Sequence, residues 1–278
     1  MEELRHKYPL ELLLDILKMA RSSYYYHLKT KSVLRKHDVA QDQIKKIYHR
    51  HKGRYGYRRI TLEMKNEGCI INHKTVSKLM GTLGLKSLIR RKKYRSYKGE
   101  LGKIAPNLLN RDFNSAQPCQ KWATDITEFK VGDKKLYLSP IIELFNGEIL
   151  SYNLSESPNF EQVTLMLKDA FKKINRNTNL ILHSDQGWQY QMKEYQRMLK
   201  KKGIRQSMSR KGNCLDNAII ENFFGIIKSE LFYINKYSEI NELKQDIKNY
   251  IEYYNNDRIK LNLKGMSPIK YRAHHINN

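Results

Sequence analysis

Two segments decide how this chain folds: Leu180-Ile-Leu-His-Ser-Asp185-Gln-Gly-Trp-Gln-Tyr190 and Asn213-Cys-Leu-Asp-Asn217-Ala-Ile-Ile-Glu221-Asn-Phe-Phe-Gly-Ile-Ile-Lys228-Ser-Glu-Leu231. The first is a short apolar run that breaks onto an Asp and a Gly, the pattern of a buried strand ending in a carboxylate. The second has Ile220, Phe223, Phe224, Ile227 and Leu231 at helical spacing, which predicts a helix with one buried face. Asn217, Glu221, Gly225 and Lys228 form a separate polar or small stripe on that helix. A carboxylate at a strand end facing another on a helix suits a hard divalent cation, which takes oxygen ligands and leaves places for water and phosphate.

Working outward, the strand–helix pair belongs to a longer alternation. Lys121-Trp-Ala-Thr-Asp125-Ile-Thr-Glu-Phe129 alternates like a strand, with Asp125 on the face of Ala123 and Thr127. Residues 135–143 and 148–154 read as two more strands joined at Phe145-Asn146-Gly147, with Pro140 suited to a bulge or sheet edge. Asn159 is the expected cap of a helix carrying Val163, Leu167 and Ala170, with Gln162 at the capping-box position. Residues 192–202 read as a helix ended by Gly203, and residues 204–208 as a short fifth strand. Three antiparallel strands, a helix, a strand, a helix, a strand and a helix give the element order of a ribonuclease-H-like α/β core with a mixed five-stranded sheet. In that fold, by analogy, the first and fourth strands are neighbours, which brings Asp125 beside Asp185 with Glu221 reaching over from the last helix.

The front of the chain is helical and basic. Asp38 is the expected cap of a helix with Ile44, Ile47 and Tyr48. A second helix holds Ile60 and Met64 and stops at Gly68, and a third, capped by Asn72, holds Val76, Leu79, Met80 and Leu83. Two short helices around a tight turn describe a helix-turn-helix, with His73, Lys74, Ser77 and Lys78 facing a DNA groove and Arg58 and Arg59 nearby. A three-helix bundle with a solvated basic face gives the same pattern. Charge favours DNA: of 52 Lys and Arg against 28 Asp and Glu, residues 1–111 hold 27 basic and 9 acidic. The run containing Arg90, Arg91, Lys92, Lys93 and Arg95 suits tracking a phosphate backbone, or serving as a solvated spacer. Three scattered cysteines argue against a disulfide framework and a Cys-rich zinc site, and fit a reducing cytoplasm. No secretory signal or membrane-spanning stretch is visible. The expected organisation is an N-terminal helical segment (1–36), helix-turn-helix (37–85), basic linker (86–117), catalytic core (118–235) and C-terminal helical tail (236–278).

Trp122-x-Thr-Asp125-Ile-Thr, His183-Ser-Asp185-x-Gly-x-Gln-Tyr190 and Asp216-Asn-Ala-x-x-Glu221-x-Phe-Phe-x-x-Lys228-x-Glu230 together resemble insertion-sequence transposases. The likeness is to family three, second-frame (OrfB) type, kin to retroviral integrases. The 35 residues between Asp185 and Glu221 match that family's spacing, and Lys228 is a further hallmark. The likeness extends to Gly53–Leu85, Tyr250–Arg258 and Met266–Arg272, so it covers nearly the whole chain. It implies a DDE polynucleotidyl transferase in which Asp125, Asp185 and Glu221 hold two Mg2+ ions, with Mn2+ as a substitute, for strand cleavage at the element's ends and strand transfer. It further implies Lys228 on a DNA phosphate, double-stranded terminal-repeat and target DNA as substrates, a homo-oligomer on DNA, and a first-frame (OrfA) partner or fusion. The setting it implies is the bacterial nucleoid. Asn217 can contact DNA or cap its helix, and capping is the simpler expectation. Trp122 and Trp188 read most simply as packing residues, and His183 as a core histidine. The alternatives are a nuclease of the same fold that does not join DNA, and a non-enzymatic DNA-binding regulator.

Overall fold

The computed structural model describes residues 4–89, 104–174, 179–210 and 214–276, with backbone alone for 29–36 and 214. The chain forms two compact units, residues 1–87 and 88–278.

The first unit is helical: α1 (Leu10–Ile16), α2 (Arg21–Lys36), α3 (Asp38–Arg50), α4 (Tyr57–Asn66) and α5 (His73–Thr82). Ile44, Ile47, Ile60, Met64 and Val76 are fully buried, so the apolar stripes of α3, α4 and α5 meet in one core. Between α4 and α5 the chain reverses through Gly68, which adopts the left-handed φ of +86° that disfavours any side chain. Asn72 caps α5 by accepting from the Lys74 N–H at 2.8 Å. The α4–turn–α5 segment is the expected helix-turn-helix. One cap differs from expectation: Asp38 lies inside the first turn of α3, and His37 occupies the cap position.

The second unit is built on a mixed sheet of β1 (Lys121–Thr124), β2 (Thr127–Val131), β3 (Lys134–Glu143), β4 (Ile149–Ser155), β5 (Ile181–Ser184) and β6 (Arg205–Met208). β1 and β2 share one antiparallel register along β3, Thr124 opposite Ile141 and Thr127 opposite Leu138, so they are a single ribbon interrupted at Asp125–Ile126. That register sets Asp125 opposite Pro140, which has no N–H to give the ladder, and the Pro140 carbonyl is taken by the Thr124 hydroxyl at 2.9 Å. Pro140 therefore stands inside the sheet, beside the irregularity where β4 meets β3, and it frees the backbone at Asp125. β4 pairs with the far side of β3, while β5 lies parallel to β1 and β6 parallel to β5. Counting the broken ribbon once, this is the five-stranded ribonuclease-H-like order.

Helices cover both faces. Trp122, Ile141, Leu182 and Met208 point to α6 (Phe160–Phe171) and α7 (Lys193–Lys202), meeting Val163, Leu167 and Leu199. Ala123, Phe129, Leu138 and Ile142 point the other way, to Phe223, Phe224 and Ile227 of α8 (Ala218–Ile227) and to Ile247 and Ile251 of α9 (Ile240–Asn256). Asn159 caps α6 as expected, accepting from Gln162 N–H at 3.0 Å, whereas the Gln162 side chain turns to the Tyr137 carbonyl at 3.1 Å. The C-terminal helices pack into this unit. The Asn255 amide pairs with both backbone groups of Ile149 at 2.9 Å, and Arg272, in α10 (Pro268–Ile276), bonds Glu148 at 3.0 Å.

Candidate active site

Two adjacent parallel strands end in carboxylates. β1 and β5 pair with Ala123 opposite His183, and two residues further on each chain leaves the sheet at Asp125 and Asp185. Each carboxylate is held by the backbone beside it: Asp125 accepts from the Ile126 N–H at 2.7 Å and Asp185 from the Gly187 N–H at 2.8 Å. Glu221 sits in the first turn of α8, on the sheet face that Ala123 presents to that helix. All three acids are half-buried. Burial, then the charges of Asp185 and Glu221, push Asp125 well above the ordinary carboxylate range, against the opposing pull of the Ile126 N–H and Lys228. Burial raises Asp185 too, and burial together with Asp185 raises Glu221. The three acids thus form one electrostatic cluster.

The donor set is all oxygen and fits hard divalent cations, which relieve the repulsion that the carboxylates feel from one another. Among the described residues no three His, Cys, Asp or Glu side chains lie close enough together to form a ready-made metal cage. Water and phosphate oxygens would complete the coordination.

Lys228 closes the cluster from the α8 side. It begins a π-helical turn (Lys228–Phe232), its ammonium lies 5.4 Å from the centre of the Phe129 ring, and it feels the charges of Glu128 and Asp125. Burial lowers its proton affinity, and those two acids partly restore it. Two residues later, Glu230 is locked in a buried pair with Arg258, by bonds of 2.8 Å from Nε and 2.6 Å from Nη2, and accepts from the Tyr250 hydroxyl at 2.8 Å. Below the strand ends Tyr190 is fully buried, and its phenol stays protonated because burial and the charges of Asp125 and Asp185 all raise it.

The other candidates separate. Lys74, Ser77, Lys78 and Arg58 are exposed in the first unit, and Arg59 is half-buried with its guanidinium 5.5 Å from the Tyr55 ring. Arg90, Arg91, Lys92, Lys93 and Arg95 lie outside the described residues. Asn217 differs from both expectations. It occupies the cap position of α8 without making a capping bond, and at 3 % exposure it offers little surface to DNA. Trp122 is the expected packing residue, its indole N–H donating to buried Glu143 at 2.9 Å. Trp188 is not: it stands 48 % exposed on the turn after Asp185, between neighbours whose backbone carbonyls are held by side chains. The Tyr190 carbonyl accepts from Gln206 at 2.7 Å, and the Gln186 carbonyl accepts from Gln191. His183 is a core residue, buried and 2.8 Å from the Ser207 hydroxyl, with burial lowering its pKa to about 4.

Sequence reasoning missed the surroundings of Asp216. Its side chain is fully buried and accepts from Arg210, Arg111 and Asn107. Arg111 and Asp216 are 105 positions apart, and no local pattern announces such a pairing. Among the described residues no helix is long and apolar enough to cross a membrane.

Comparison with known proteins extends these observations. Residues 115–214 and 221–276 match two integrase core domain families, and residues 35–93 match an HTH-like domain. The HTLV-2 integrase catalytic core domain in complex with magnesium aligns at TM-score 0.44 and 18% identity, over 56% of this chain and 98% of that one. Transposase InsF for insertion sequence IS3A of Escherichia coli K12 is 31% identical, covering 97% of this chain and 96% of its own. The protein assigned as transposase InsK for insertion sequence element IS150, also from Escherichia coli K12, is 56% identical over 98% of this chain and 96% of its own. With that identity sustained from end to end, through a helix-turn-helix and an integrase core, the chain belongs to the IS150/IS3 family of insertion-sequence transposases.

Proposed function

We propose that Asp125, Asp185 and Glu221 are the catalytic acids with which this transposase cuts DNA at the ends of its element and joins the freed ends to target DNA. The observation that carries this reading is the placement of three half-buried carboxylates, at two neighbouring strand ends and in the first turn of one helix, where each is within reach of another's charge. A protein keeps such a cluster against its electrostatic cost where a cation and a polyanionic substrate are to be bound. The three acids would hold two divalent ions, magnesium by donor chemistry with manganese as a substitute. Ions held there would supply Lewis-acid stabilisation of the charge on the reacting oxygens at phosphorus.

The chain's own residues do the rest. The Ile126 and Gly187 N–H groups fix the two aspartates. Lys228, steadied by the Glu230–Arg258 lock two residues on, meets a phosphate oxygen near the reacting centre. In the first step water attacks the phosphodiester at the element end and the 3′ oxygen leaves as a hydroxyl. In the second that hydroxyl attacks a target phosphodiester, displacing the target's own 3′ oxygen. No side chain becomes covalently linked to DNA. The exposed Lys74, Ser77, Lys78 and Arg58 hold the terminal repeats. The working species is a homo-oligomer on double-stranded DNA at the nucleoid, with a first-frame product as partner or fusion.

The test is strand transfer on oligonucleotides carrying the element's ends. Asp125→Ala, Asp185→Ala and Glu221→Ala should each abolish cleavage and joining while DNA binding persists. Joining at the wild-type level by any one of them would refute the assignment. Cleavage without joined product from the wild-type chain would identify a nuclease, and neither activity with tight DNA binding would identify a regulator.

A further inference from the structure

We propose that Arg210 and Arg111 form a second phosphate-binding site, a guanidinium fork that takes a DNA backbone phosphate beside the acidic cluster. The proposal rests on the reading above only in taking DNA as the substrate.

The placement follows from the sheet. β1, β5 and β6 are consecutive parallel strands, and their carboxyl ends lead into Asp125, Asp185 and the Ser209-Arg210 pair in spatial order. The loop carrying Arg210 is fastened to the Asp185 strand and turn. The Ser209 N–H donates to the Ser184 carbonyl at 2.9 Å, and the Gln186 amide donates to the Ser209 carbonyl at 3.0 Å. Arg111 arrives from a strap that runs along β6, where the Leu108 N–H donates to the Ser207 hydroxyl at 2.9 Å.

The electrostatics point to an anion. Asp216 accepts from Arg210 Nε at 2.9 Å, Arg210 Nη2 at 3.0 Å, the Arg210 backbone N–H at 3.0 Å, Arg111 Nε at 2.9 Å and Asn107 Nδ2 at 3.0 Å. These donors hold its carboxyl far below the ordinary range, so it remains an anion. Two guanidiniums thus converge on one carboxylate, and they repel each other. Both nevertheless keep about half of their side-chain surface in solvent, 51% for Arg210 and 45% for Arg111, whereas the Asp216 side chain is fully buried. A buried acid that orients two half-exposed guanidiniums has already met the entropic cost of ordering them, which favours bidentate capture of a phosphate. The site lies one strand away from Asp185, so the phosphate it takes belongs to the DNA held over the same edge of the sheet.

The experiment uses the full chain in EDTA, so no cleavage takes place, and follows binding of a fluorescein-labelled duplex carrying the element's end across a salt series. Arg210→Gln and Arg111→Gln should each weaken binding about eightfold at 0.1 M salt. Each should also reduce the steepness of the log–log salt dependence by about 0.9, the signature of one lost phosphate contact. Arg210→Lys, which keeps the charge, should keep the slope. Folded variants with wild-type affinity and slope would overturn the proposal and leave the arginines as a brace for the strap. A measurement without variants guards against misfolding. In the wild-type chain, modification of Arg210 and Arg111 by phenylglyoxal, read by mass spectrometry, should fall severalfold on adding DNA, and unchanged modification would likewise overturn it. Because neither readout involves catalysis, failure of the acid trio and failure of the fork are separable.

Discussion

Gly187 gives the sharpest test of how the site is held. Its φ of −57° is open to any residue, so backbone strain does not require glycine there. Space does. A Cβ at this position would stand 2.9 Å from Asp185 Oδ1, 2.9 Å from Gln189 Oε1 and 3.3 Å from Tyr190 Cδ2, where ordinary contact begins at 3.4 Å. Tyr190 is fully buried and close to tolerable range, so the two oxygens at the ends of side chains must yield, each by about 0.5 Å. For stability this is a small matter. Alanine lowers the entropy of the unfolded chain by about 0.4–1 kcal/mol relative to glycine, which offsets the cost of moving two side-chain tips. For chemistry it is not small, because one of the displaced atoms belongs to a proposed catalytic carboxylate. A misplacement of about 1 Å costs on the order of a hundredfold in rate, so about half that distance predicts a loss on the order of tenfold. Gly187→Ala should therefore melt within about 2 °C of wild type and bind DNA normally while joining oligonucleotide ends about tenfold more slowly. Wild-type joining would refute the reasoning, as would a variant that loses activity because it unfolds.

Other expectations follow from the same geometry. Arg258→Met strips the buried Glu230 carboxylate of its guanidinium, and removing one partner of such a pair costs about 3–5 kcal/mol, read as a lowered midpoint in urea. A wild-type midpoint would mean the pair is dispensable. Asp216 contributes to acid stability with a definite sign. Its folded carboxyl is depressed, so its contribution is complete above the unfolded value of about 3.9 and is lost progressively as pH falls below it. Asp216→Asn should thus lower stability at pH 7 and flatten the acid limb of the stability–pH curve, and an unchanged limb would contradict the assignment. The two indoles differ in access, so acrylamide should quench Trp188 and spare Trp122, and Trp188→Phe should remove nearly all of the quenchable emission. A single-class quenching curve in the wild type would exclude that difference.

What the sequence determined by itself was whatever depends on local spacing. Periods of two and of about 3.6 residues located the strands and helices, and Asn72 and Asn159 announced their caps because capping involves residues two or three apart. The three acids could be picked out because each lies in a compact motif, and their order along the chain matched a known family. Tertiary structure decided the rest, since it rests on pairings that local pattern cannot encode. Pro140, which by itself suggested a bulge or an edge, turns out to stand opposite Asp125 and to open the ladder there, a relation fixed only by strand register. Asn217 and Trp188 exchanged the environments expected of a polar and an apolar residue, because side-chain type biases burial while the surrounding backbone decides it. The meeting of Arg111, Arg210 and Asp216 required the strap along β6 to reach an acid 105 positions further along the chain. A buried carboxylate recruits its counter-charges through space, from wherever the fold brings them.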